Sequence, residues 1–421
     1  MYLPNFPDGR PRPLRVALFS GNYNYTLDGA NKSLNRLVAH LQATLGARVR
    51  VYSPTTARPA FPPAGELVSA PSVAIPLRPD YRFALGLTPR LRRDVEAFEP
   101  DIIHLSAPDL LGLGAQRLGR RLGLPVVASV HTLFETYLDY YALGRLKPYL
   151  QRRLQAFYQG CDYVLAPTPA MADELRLQVM PARVRTWSRG VDGALFNPAR
   201  RDLAWRRSQG FDDARPVIVF LGRLVLEKGL AVFAEAIARL EAASGPAQVL
   251  VIGEGPAGAW FRERLPRAVF TGHLAGEALA AAVASGDILL NPSCTETFGN
   301  VNLEAMASGL AVVCADALNT RALFTPGRTG LLCPAADAEA FSRALETLVA
   351  DPALRGRLAA AAFDQASAYR WSDILDQVVA VYAEALGLAG LSPVAPPPPS
   401  SAQPAYSPVP APGSSAETEA A

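Results

Sequence analysis

The stretch DILLNPSCTETFGNVNLEAMASG, residues 287–309, decides the fold class. It opens with an apolar run typical of a buried strand, continues through a polar loop, and ends in an alanine-rich helical segment stopped by Gly309. A strand followed by a loop and a helix is the repeating unit of parallel α/β sheets. Ligands of such sheets bind at the carboxyl ends of the strands, so this loop is a candidate site.

The same alternation extends outward from this stretch in two copies. In the first copy LRVALFSG (14–21) predicts a strand, GANKSLNRLVAHLQATLG (29–46) a helix, and RVRVYSP (48–54) a second strand. Further strands are predicted in the first copy at 101–106, 125–131 and 163–168, and in the second at 216–223, 247–255, 268–274, 287–293 and 310–316.

Two copies predict two doubly wound, Rossmann-like α/β domains that face each other across a cleft. We expect an N-terminal arm at 1–13, an acceptor domain at 14–190, an interdomain linker at 191–214, a donor domain at 215–369, a helix at 370–387 that packs back on the first domain, and a tail at 388–421. The tail is rich in proline, serine and alanine, a composition that predicts disorder.

Composition excludes several classes of function. The 421 residues carry 41 basic and 38 acidic side chains, a net charge of +3 that leaves no nucleic-acid footprint. No apolar stretch reaches the roughly 18–20 residues of a membrane-spanning helix, and the N-terminus lacks a signal-peptide core. Four widely spaced cysteines are expected to be free thiols, so a cytoplasmic location is predicted.

Two carboxylates in the opening stretch suit a ligand rich in hydroxyls. Glu296 lies in the predicted loop and Glu304 about one turn inside the predicted helix, so both can face one molecule from different heights. Ionised glutamate accepts hydrogen bonds from vicinal diols, and the helix N-terminus between them favours an anion such as a diphosphate. Metal ligation, acid–base catalysis and sugar binding remain open from these residues alone.

Several motifs together resemble the retaining glycosyltransferases of family 4, which have the two-domain GT-B fold. The resemblance covers about residues 14–387. It is carried by the Glu-x7-Glu spacing with Phe-Gly between, and by SRGVDGALFNP (188–198), FLGRLVLEKGL (220–230), VIGEGP (251–256), FTGHL (270–274) and LEAMASGLAVV (303–313).

This resemblance implies a set of site residues. The catalytic set is His131 near the anomeric carbon, Arg223 and Lys228 on the leaving diphosphate, and Glu296 on the sugar hydroxyls. Glu304 would hold the ribose. The other donor-binding positions are Gly29, Ala30, Gly222, His273, Leu274, Phe298, Gly299, Asn300 and Val301. Many members have a Gly-Gly pair where this chain has Gly29-Ala30.

No metal ion or cofactor is predicted. The chain contains no Asp-x-Asp triplet, so fixed cations are expected to stabilise the leaving diphosphate. Pyridoxal phosphate is not expected either, because only three lysines occur and none has a recognisable cofactor context.

Other residues have weaker indications. His104 ends a predicted strand, and a functional role for it and an ordinary strand-end position are weighed equally, with Ser106 and Asp109 as acceptor-side candidates. Arg189 and Asp192 are interpreted as hinge structure. Residues 132–159 combine aromatic and basic side chains, a pattern shared by lipid-contacting helices and by ordinary amphipathic surface helices.

The sequence therefore predicts a retaining, metal-independent hexosyltransferase. Its expected partners are a UDP- or GDP-linked sugar and a lipid or glycan acceptor, as in glycolipid or cell-envelope polysaccharide synthesis, with peripheral contact at the inner face of the membrane. The alternative is a non-catalytic nucleotide-sugar-binding protein that has kept the fold. An NAD-dependent oxidoreductase is not favoured, because SGNYNYTLDGA lacks the Gly-x-Gly-x-x-Gly spacing after the first strand.

Overall fold

The computed structural model describes residues 12–26, 29–75, 78–131, 147–294 and 298–388. These residues form two compact units. The first contains residues up to Arg189 and returns at Ser372, whereas the second runs from Gly190 to Trp371. Residues 191–214, the predicted linker, lie within the second unit and include the 3-10 turn Pro198–Arg200.

The first unit is built on a parallel seven-stranded sheet. Its strand order is β3-β2-β1-β6-β7-β8-β9, and β4 pairs separately with β5 in an antiparallel ribbon. The strands are β1 Arg15–Phe19, β2 Arg48–Ser53, β3 Glu66–Ser69, β4 Ser72–Ile75, β5 Arg78–Ala84, β6 Ile102–Leu105, β7 Val126–Ser129, β8 Tyr163–Ala166 and β9 Val184–Thr186. The helices are α1 Gly29–Leu45, α2 Pro89–Phe98, α3 Leu110–Leu122, α4 Lys147–Gln159 and α5 Pro169–Arg176, and α14 Trp371–Leu386 joins them from Ser372 onward.

The helices of this unit begin where their sequences provide caps. Thr88, Asp109 and Thr168 precede α2, α3 and α5, and each side chain accepts a hydrogen bond from the amide three residues on. Helix α1 buries Leu34, Val38 and other residues at helical spacing, which explains the periodicity seen in the sequence.

The second unit repeats the design with a parallel six-stranded sheet. Its strand order is β12-β11-β10-β13-β14-β15. The strands are β10 Val217–Leu221, β11 Gln248–Ile252, β12 Val269–Gly272, β13 Ile288–Asn291, β14 Ala311–Ala315 and β15 Leu331–Cys333. The helices are α6 Leu203–Ser208, α7 Leu230–Ser244, α8 Gly258–Arg264, α9 Gly276–Ala284, α10 Asn300–Ala307, α11 Leu318–Leu323, α12 Ala338–Ala350 and α13 Pro352–Ala366.

A buried ion-pair cluster fastens the amino end of the second sheet. Asp287 precedes β13, and its Oδ2 accepts from Arg206 Nη1 at 2.7 Å and from the Val217 amide at 2.7 Å. Arg201 Nη2 donates to Oδ1 at 2.9 Å. Burial alone would raise the pKa of Asp287, but the two guanidinium groups outweigh it and lower the pKa below its ordinary value.

The prediction of two doubly wound parallel-sheet domains is confirmed, with five strands added to it. The ribbon β4–β5 and strand β3 were not predicted because they lie in a proline-rich region and have many exposed residues. They therefore lack the continuous apolar runs that identify buried strands. Strands β9 and β15 have three residues each, too few to show a period. The tail at 389–421 lies outside the described residues, and none of the described helices is both long and apolar enough to cross a bilayer.

Candidate donor site and histidine cluster

Loops after neighbouring strands of the second unit are joined along the carboxyl edge of its sheet. The Gly222 amide donates to the Ile252 carbonyl at 3.1 Å, and the Leu224 amide donates to the Glu254 carbonyl at 2.9 Å. The Gly253 amide donates to the Gly272 carbonyl at 2.9 Å. The loops that follow β10, β11 and β12 therefore form one hydrogen-bonded surface, at the edge where ligands of parallel sheets bind.

Gly253 makes this contact between loops sterically possible. Its φ is +136°, and a Cβ atom added there would lie 2.0 Å from the carbonyl oxygen of Gly222. Only glycine fits such a position without moving the backbone. Gly253 is the first glycine of the motif VIGEGP, and its close contact with Gly222 supports the loop that carries Arg223.

The two predicted phosphate-binding cations lie on the loop after β10. Arg223 is exposed and Lys228 is half-buried at the end of a 3-10 turn, Leu226–Lys228. Gly229 follows with a φ of +74°, and a Cβ atom added to it would lie 2.9 Å from Pro292 Cβ. Lys228 is therefore held next to the start of the loop that follows β13.

The amino end of helix α10 lies between Glu296 and Glu304 in the sequence, as predicted. Gly299 adopts the left-handed conformation with φ +90° and ψ +57°, and the helix starts at Asn300. Glu304 is its fifth residue and is half-buried, as predicted for a group one turn inside the helix. Glu296 lies outside the described residues.

A buried amide pair ties this helix to the strand before it. The Ser293 amide donates to Asn291 Oδ1 at 3.2 Å, which leaves Asn291 Nδ2 to donate to Asn302 Oδ1 at 2.8 Å. Asn302 is completely buried. Neither asparagine is among the predicted site residues, although their places at a strand end and in the first turn of the following helix were a usable signal.

The remaining donor-binding predictions fall on the same edge. His273 is exposed and Leu274 is half-buried directly after β12, and Leu274 packs against the core. Phe298 is buried with its ring centroid 6.0 Å from that of Tyr369. Gly222 is half-buried after β10, while Gly299 is buried and Asn300 and Val301 are half-buried at the helix start.

In the first unit, Gly29 and Ala30 are the first residues of α1 and both are half-buried. Ser33 Oγ donates to the Gly29 carbonyl at 2.7 Å, and Asn31 Nδ2 donates to the Thr26 carbonyl at 3.1 Å. Alanine is the best helix former, so its presence beside Gly29 agrees with a helical backbone there.

Asp109, an acceptor-side candidate, caps α3 through a 2.7 Å hydrogen bond from the Gly112 amide to its Oδ1. A Cβ atom added at Gly21 would lie 2.7 Å from Asp109 Oδ2, so this carboxylate packs against the loop after β1. Burial raises the pKa of Asp109, although backbone hydrogen bonds oppose the shift. Ser106 is buried, and its amide donates to the Phe19 carbonyl at 2.9 Å.

His131 and His104, two of the three histidines of the first unit, are both buried and hydrogen-bonded. His131 Nδ1 lies 2.8 Å from Arg189 Nη2, and its Nε2 lies 2.8 Å from Ser129 Oγ. His104 is fully buried, with Nδ1 2.7 Å from Tyr382 Oη and Nε2 3.0 Å from the same serine hydroxyl. Burial lowers the pKa of His104 to about 3.

These contacts show where His104 and Arg189 lie in the structure. His104, for which a functional role and an ordinary strand-end position were weighed equally, is an interior group with no exposed surface and a hydrogen-bond partner at each ring nitrogen. Arg189, interpreted as hinge structure, is the residue at which the first segment of the first unit ends, and its side chain is buried against His131. Within the part of the chain that the structure describes, no group of three or more His, Cys, Asp or Glu side chains could hold a metal ion.

Comparisons with known proteins agree with this architecture. Residues 27–194 match the family model described as Glycosyltransferase Family 4, and residues 215–351 match the one described as Glycosyl transferases group 1. The chain is 35% identical over 380 residues to a GDP-mannose-dependent alpha-mannosyltransferase of Mycolicibacterium smegmatis, covering 89% of this chain and 98% of that protein.

Two further proteins resemble the chain over most of its length. A sulfoquinovosyl transferase of Arabidopsis thaliana is 30% identical over 378 residues, covering 87% of this chain and 72% of that protein. The solved structure of a sucrose-phosphate synthase from Thermosynechococcus elongatus superposes with a TM-score of 0.71 at 20% identity, covering 89% of this chain and 99% of that one. This last similarity concerns the fold alone.

Proposed function

Since this chain belongs to glycosyltransferase family 4, we propose that it transfers mannose from GDP-mannose to a lipid acceptor, with retention of anomeric configuration and without a metal ion. The observation that carries the choice of donor is the 35% identity, across nearly the whole length, with a GDP-mannose-dependent relative. The alternative of a non-catalytic binding protein is not favoured, because the matched relatives are enzymes.

The second unit supplies the groups that hold the donor. Arg223 offers a planar fork of donors and Lys228 a compact charge, and both suit the oxygens of a diphosphate. The first amides of α10 add the positive end of a helix. Glu304 would hold the ribose hydroxyls, and the loop that carries His273 would receive the nucleobase.

Metal independence is proposed from the distribution of charge. Cleavage of a sugar–diphosphate bond places negative charge on the leaving group, which fixed cations can stabilise in advance. The sequence has no Asp-x-Asp triplet to bind a bridging metal, whereas Arg223 and Lys228 lie on one loop whose position the hydrogen bonds to the next loop fix.

Retention is proposed to follow a front-face reaction. The acceptor hydroxyl oxygen bonds to C1 of the sugar on the face that the diphosphate leaves, the C1–O bond to the diphosphate breaks, and the hydroxyl proton passes to a leaving phosphate oxygen. Glu296 would bind sugar hydroxyls. Because both ring nitrogens of His131 already have partners, we propose that this residue acts through its main-chain carbonyl oxygen, which faces the developing positive charge at C1.

A lipid acceptor agrees with the exposed face of α4. This helix exposes Tyr149, Arg152 and Arg153, a pairing of aromatic and basic side chains that suits the surface of an anionic membrane. The other expected part of this surface, at 132–146, lies outside the described residues. All four cysteines are free thiols, which supports the proposed cytoplasmic location.

One assay tests the donor, the metal requirement and the stereochemistry. The purified chain is incubated with a membrane lipid extract and, separately, GDP-mannose, UDP-glucose, UDP-galactose, UDP-glucuronate or UDP-sulfoquinovose, with and without EDTA. We expect labelled lipid from GDP-mannose alone, unchanged by EDTA, and an α linkage by NMR. Product from a UDP-linked sugar alone contradicts the donor, loss of product in EDTA contradicts metal independence, and a β linkage contradicts retention.

A further inference from the structure

A continuous chain of hydrogen bonds crosses the interior of the first unit. It runs from Arg189 to His131 at 2.8 Å, from His131 to Ser129 at 2.8 Å, from Ser129 to His104 at 3.0 Å, and from His104 to Tyr382 at 2.7 Å. Every member is buried, with at most 9% of its surface exposed. The chain therefore links the end of β7 to the last helix, α14.

The chemistry of the first member sets the direction of the first two bonds. A guanidinium group only donates, so Nδ1 of His131 must accept and must carry a lone pair. The imidazole is then neutral with its proton on Nε2, from which it donates to Ser129 Oγ. A doubly protonated ring has no lone pair at Nδ1, so its N–H group would face the N–H group of Arg189 and the two donors would repel each other.

The rest of the chain follows from the available acceptors. Ser129 Oγ accepts from His131 and has one hydrogen to donate. His104 Nε2 lies 3.0 Å away, whereas the alternative acceptor, the Leu105 carbonyl, lies 3.5 Å away. Donation to His104 Nε2 places the His104 proton on Nδ1, from which it donates to Tyr382 Oη.

Trp187 fills the space around this chain. Its ring packs edge-on against His131 with centroids 5.3 Å apart and against His104 at 6.0 Å, and the Arg189 guanidinium lies 5.3 Å from its centroid. The indole thus leaves the two imidazoles in an apolar surrounding. Hydrogen bonds are electrostatically stronger in such apolar surroundings than in water.

We propose that Arg189 is a positioning residue for His131. Arg189 holds the His131 ring as the Nε2–H tautomer and so fixes in place the main-chain carbonyl that faces the donor sugar. Its effect on catalysis rests on the proposed function, whereas the tautomer does not. Ser129, His104 and Tyr382 complete the support by satisfying the other ring nitrogen and anchoring it to α14.

The charges around His131 favour the same state. Within the described part of the chain, the charged and titratable groups that act on this ring are Arg189, from the segment after β9, and His104, from β6. Burial, followed by the charge of Arg189 and then by His104, holds the pKa of His131 well below 6.5. The ring should therefore stay neutral across the physiological pH range.

The tautomer can be read directly in the unaltered protein. The chain has only four histidines, so a long-range proton–nitrogen NMR spectrum of protein labelled with 15N-histidine gives four ring patterns. His40→Gln and His273→Gln identify two of them. We expect His131 as the Nε2–H form with no change between pH 8 and 5.5. A protonated ring or the Nδ1–H form would overturn the proposal.

Two variants separate the roles of the ends of the chain. Arg189→Met removes the donor but keeps the length of the side chain, so we expect the His131 pattern to lose its single tautomer. Tyr382→Phe removes only a hydroxyl, so we expect His104 to move its proton to Nε2 while His131 keeps its pattern. If Arg189→Met leaves His131 unchanged, or if Tyr382→Phe alters it, Arg189 does not set the tautomer.

Activity measurements then test the positioning role. Leaving a buried acceptor without its donor corresponds to a loss of about tenfold to a hundredfold, and we expect it in kcat rather than in KM for the donor. The acid limb of the pH–rate profile should also move to higher pH, because the neighbouring positive charge is gone. Unchanged kcat in a variant with altered tautomer contradicts the positioning role, whereas absence of transferase activity in the unaltered protein contradicts the proposed function instead.

Discussion

Replacing Asp287 by asparagine should destabilise the second unit while leaving its ligand-binding edge intact. The carboxylate receives hydrogen bonds from Arg206, Arg201 and the Val217 amide. It precedes β13, whereas the candidate donor loop follows the other end of the same strand. The variant keeps the volume of the side chain but removes its charge and turns an amide group toward the guanidinium donors.

The expected magnitude follows from burial. The Arg206 side chain is 1% exposed and that of Asp287 is 10% exposed, so the pair is shielded from water on both sides. Removing one partner of a buried pair leaves an uncompensated charge and destabilises a protein by about 3–5 kcal/mol. The exposed helical pair of Glu235 with Arg239 provides the control, since water screens this pair and Glu235→Gln should change the free energy of unfolding far less than Asp287→Asn does.

Urea unfolding of the full chain, followed by tryptophan fluorescence, measures both variants. Trp205 and Trp260 lie in the second unit and report its transition. The pKa of Asp287 is lowered in the folded chain, so the stability it provides is fully present above the unfolded value of about 3.9 and is lost as pH falls below it. The gap between the original chain and Asp287→Asn should therefore narrow below about pH 4. A loss as small as that of the Glu235 control would refute the reasoning.

Three further predictions concern the site and the histidines. Gly253→Ala places a Cβ atom 2.0 Å from the Gly222 carbonyl oxygen and should weaken donor binding, measured by calorimetry, at least about tenfold. Gly245→Ala is the control, because Gly245 also has a positive φ (+79°) but open space around it, and it should leave donor binding unchanged. Equal effects of the two variants would contradict the role given to the contact between the loops. Lys228→Ala should lower kcat/KM by about a hundredfold to a thousandfold, and Lys228→Arg by less; an unchanged rate in Lys228→Ala would remove it from the site. The pKa of His104 is lowered to about 3, so the stability contributed by its neutral form is fully present above about pH 6.5 and is lost as pH falls toward 3, at about 1.4 kcal/mol per pH unit. His104→Asn should therefore flatten the dependence of the free energy of unfolding on pH, measured by urea titration. An unaltered dependence would contradict a buried neutral ring.

Much of the fold was readable because its signals are local. A buried parallel strand is a short apolar run, and the helix after it has its own period and stop signal, so the strand β13 and the helix α10 could both be predicted. Placing the strands also placed Arg223, Lys228 and Glu304 near the carboxyl edge of the second sheet, where ligands bind, whereas their roles in the site were implied by the resemblance to the family. The strand β9 escaped because three residues cannot show a period.

The supporting contacts could not be read in the same way, because they join residues that are far apart in sequence. Arg189 and His131 are 58 positions apart, and His104 and Tyr382 are 278 positions apart. Sequence alone placed His104 at a strand end and Arg189 in a hinge, and it gave no indication for Tyr382. Their pairing depends on strand order, which puts β7 between β6 and β8 and so brings the ends of distant segments together.

Groups expected to bind the donor and groups that support them occur in different kinds of sequence position. The groups expected to touch the donor lie on loops after strands, where a motif of a few residues suffices to find them. The groups proposed to support those residues, Asn302 in the first turn of α10 and Arg189 beside His131, are buried and occur at positions that a motif describes only as helix or hinge. A buried polar side chain must find a partner, so each of them restricts where its neighbour can lie. The proposed site would therefore be specified twice, by the groups that bind the donor and by the buried groups that orient them, and only the first set could be predicted before the fold was known.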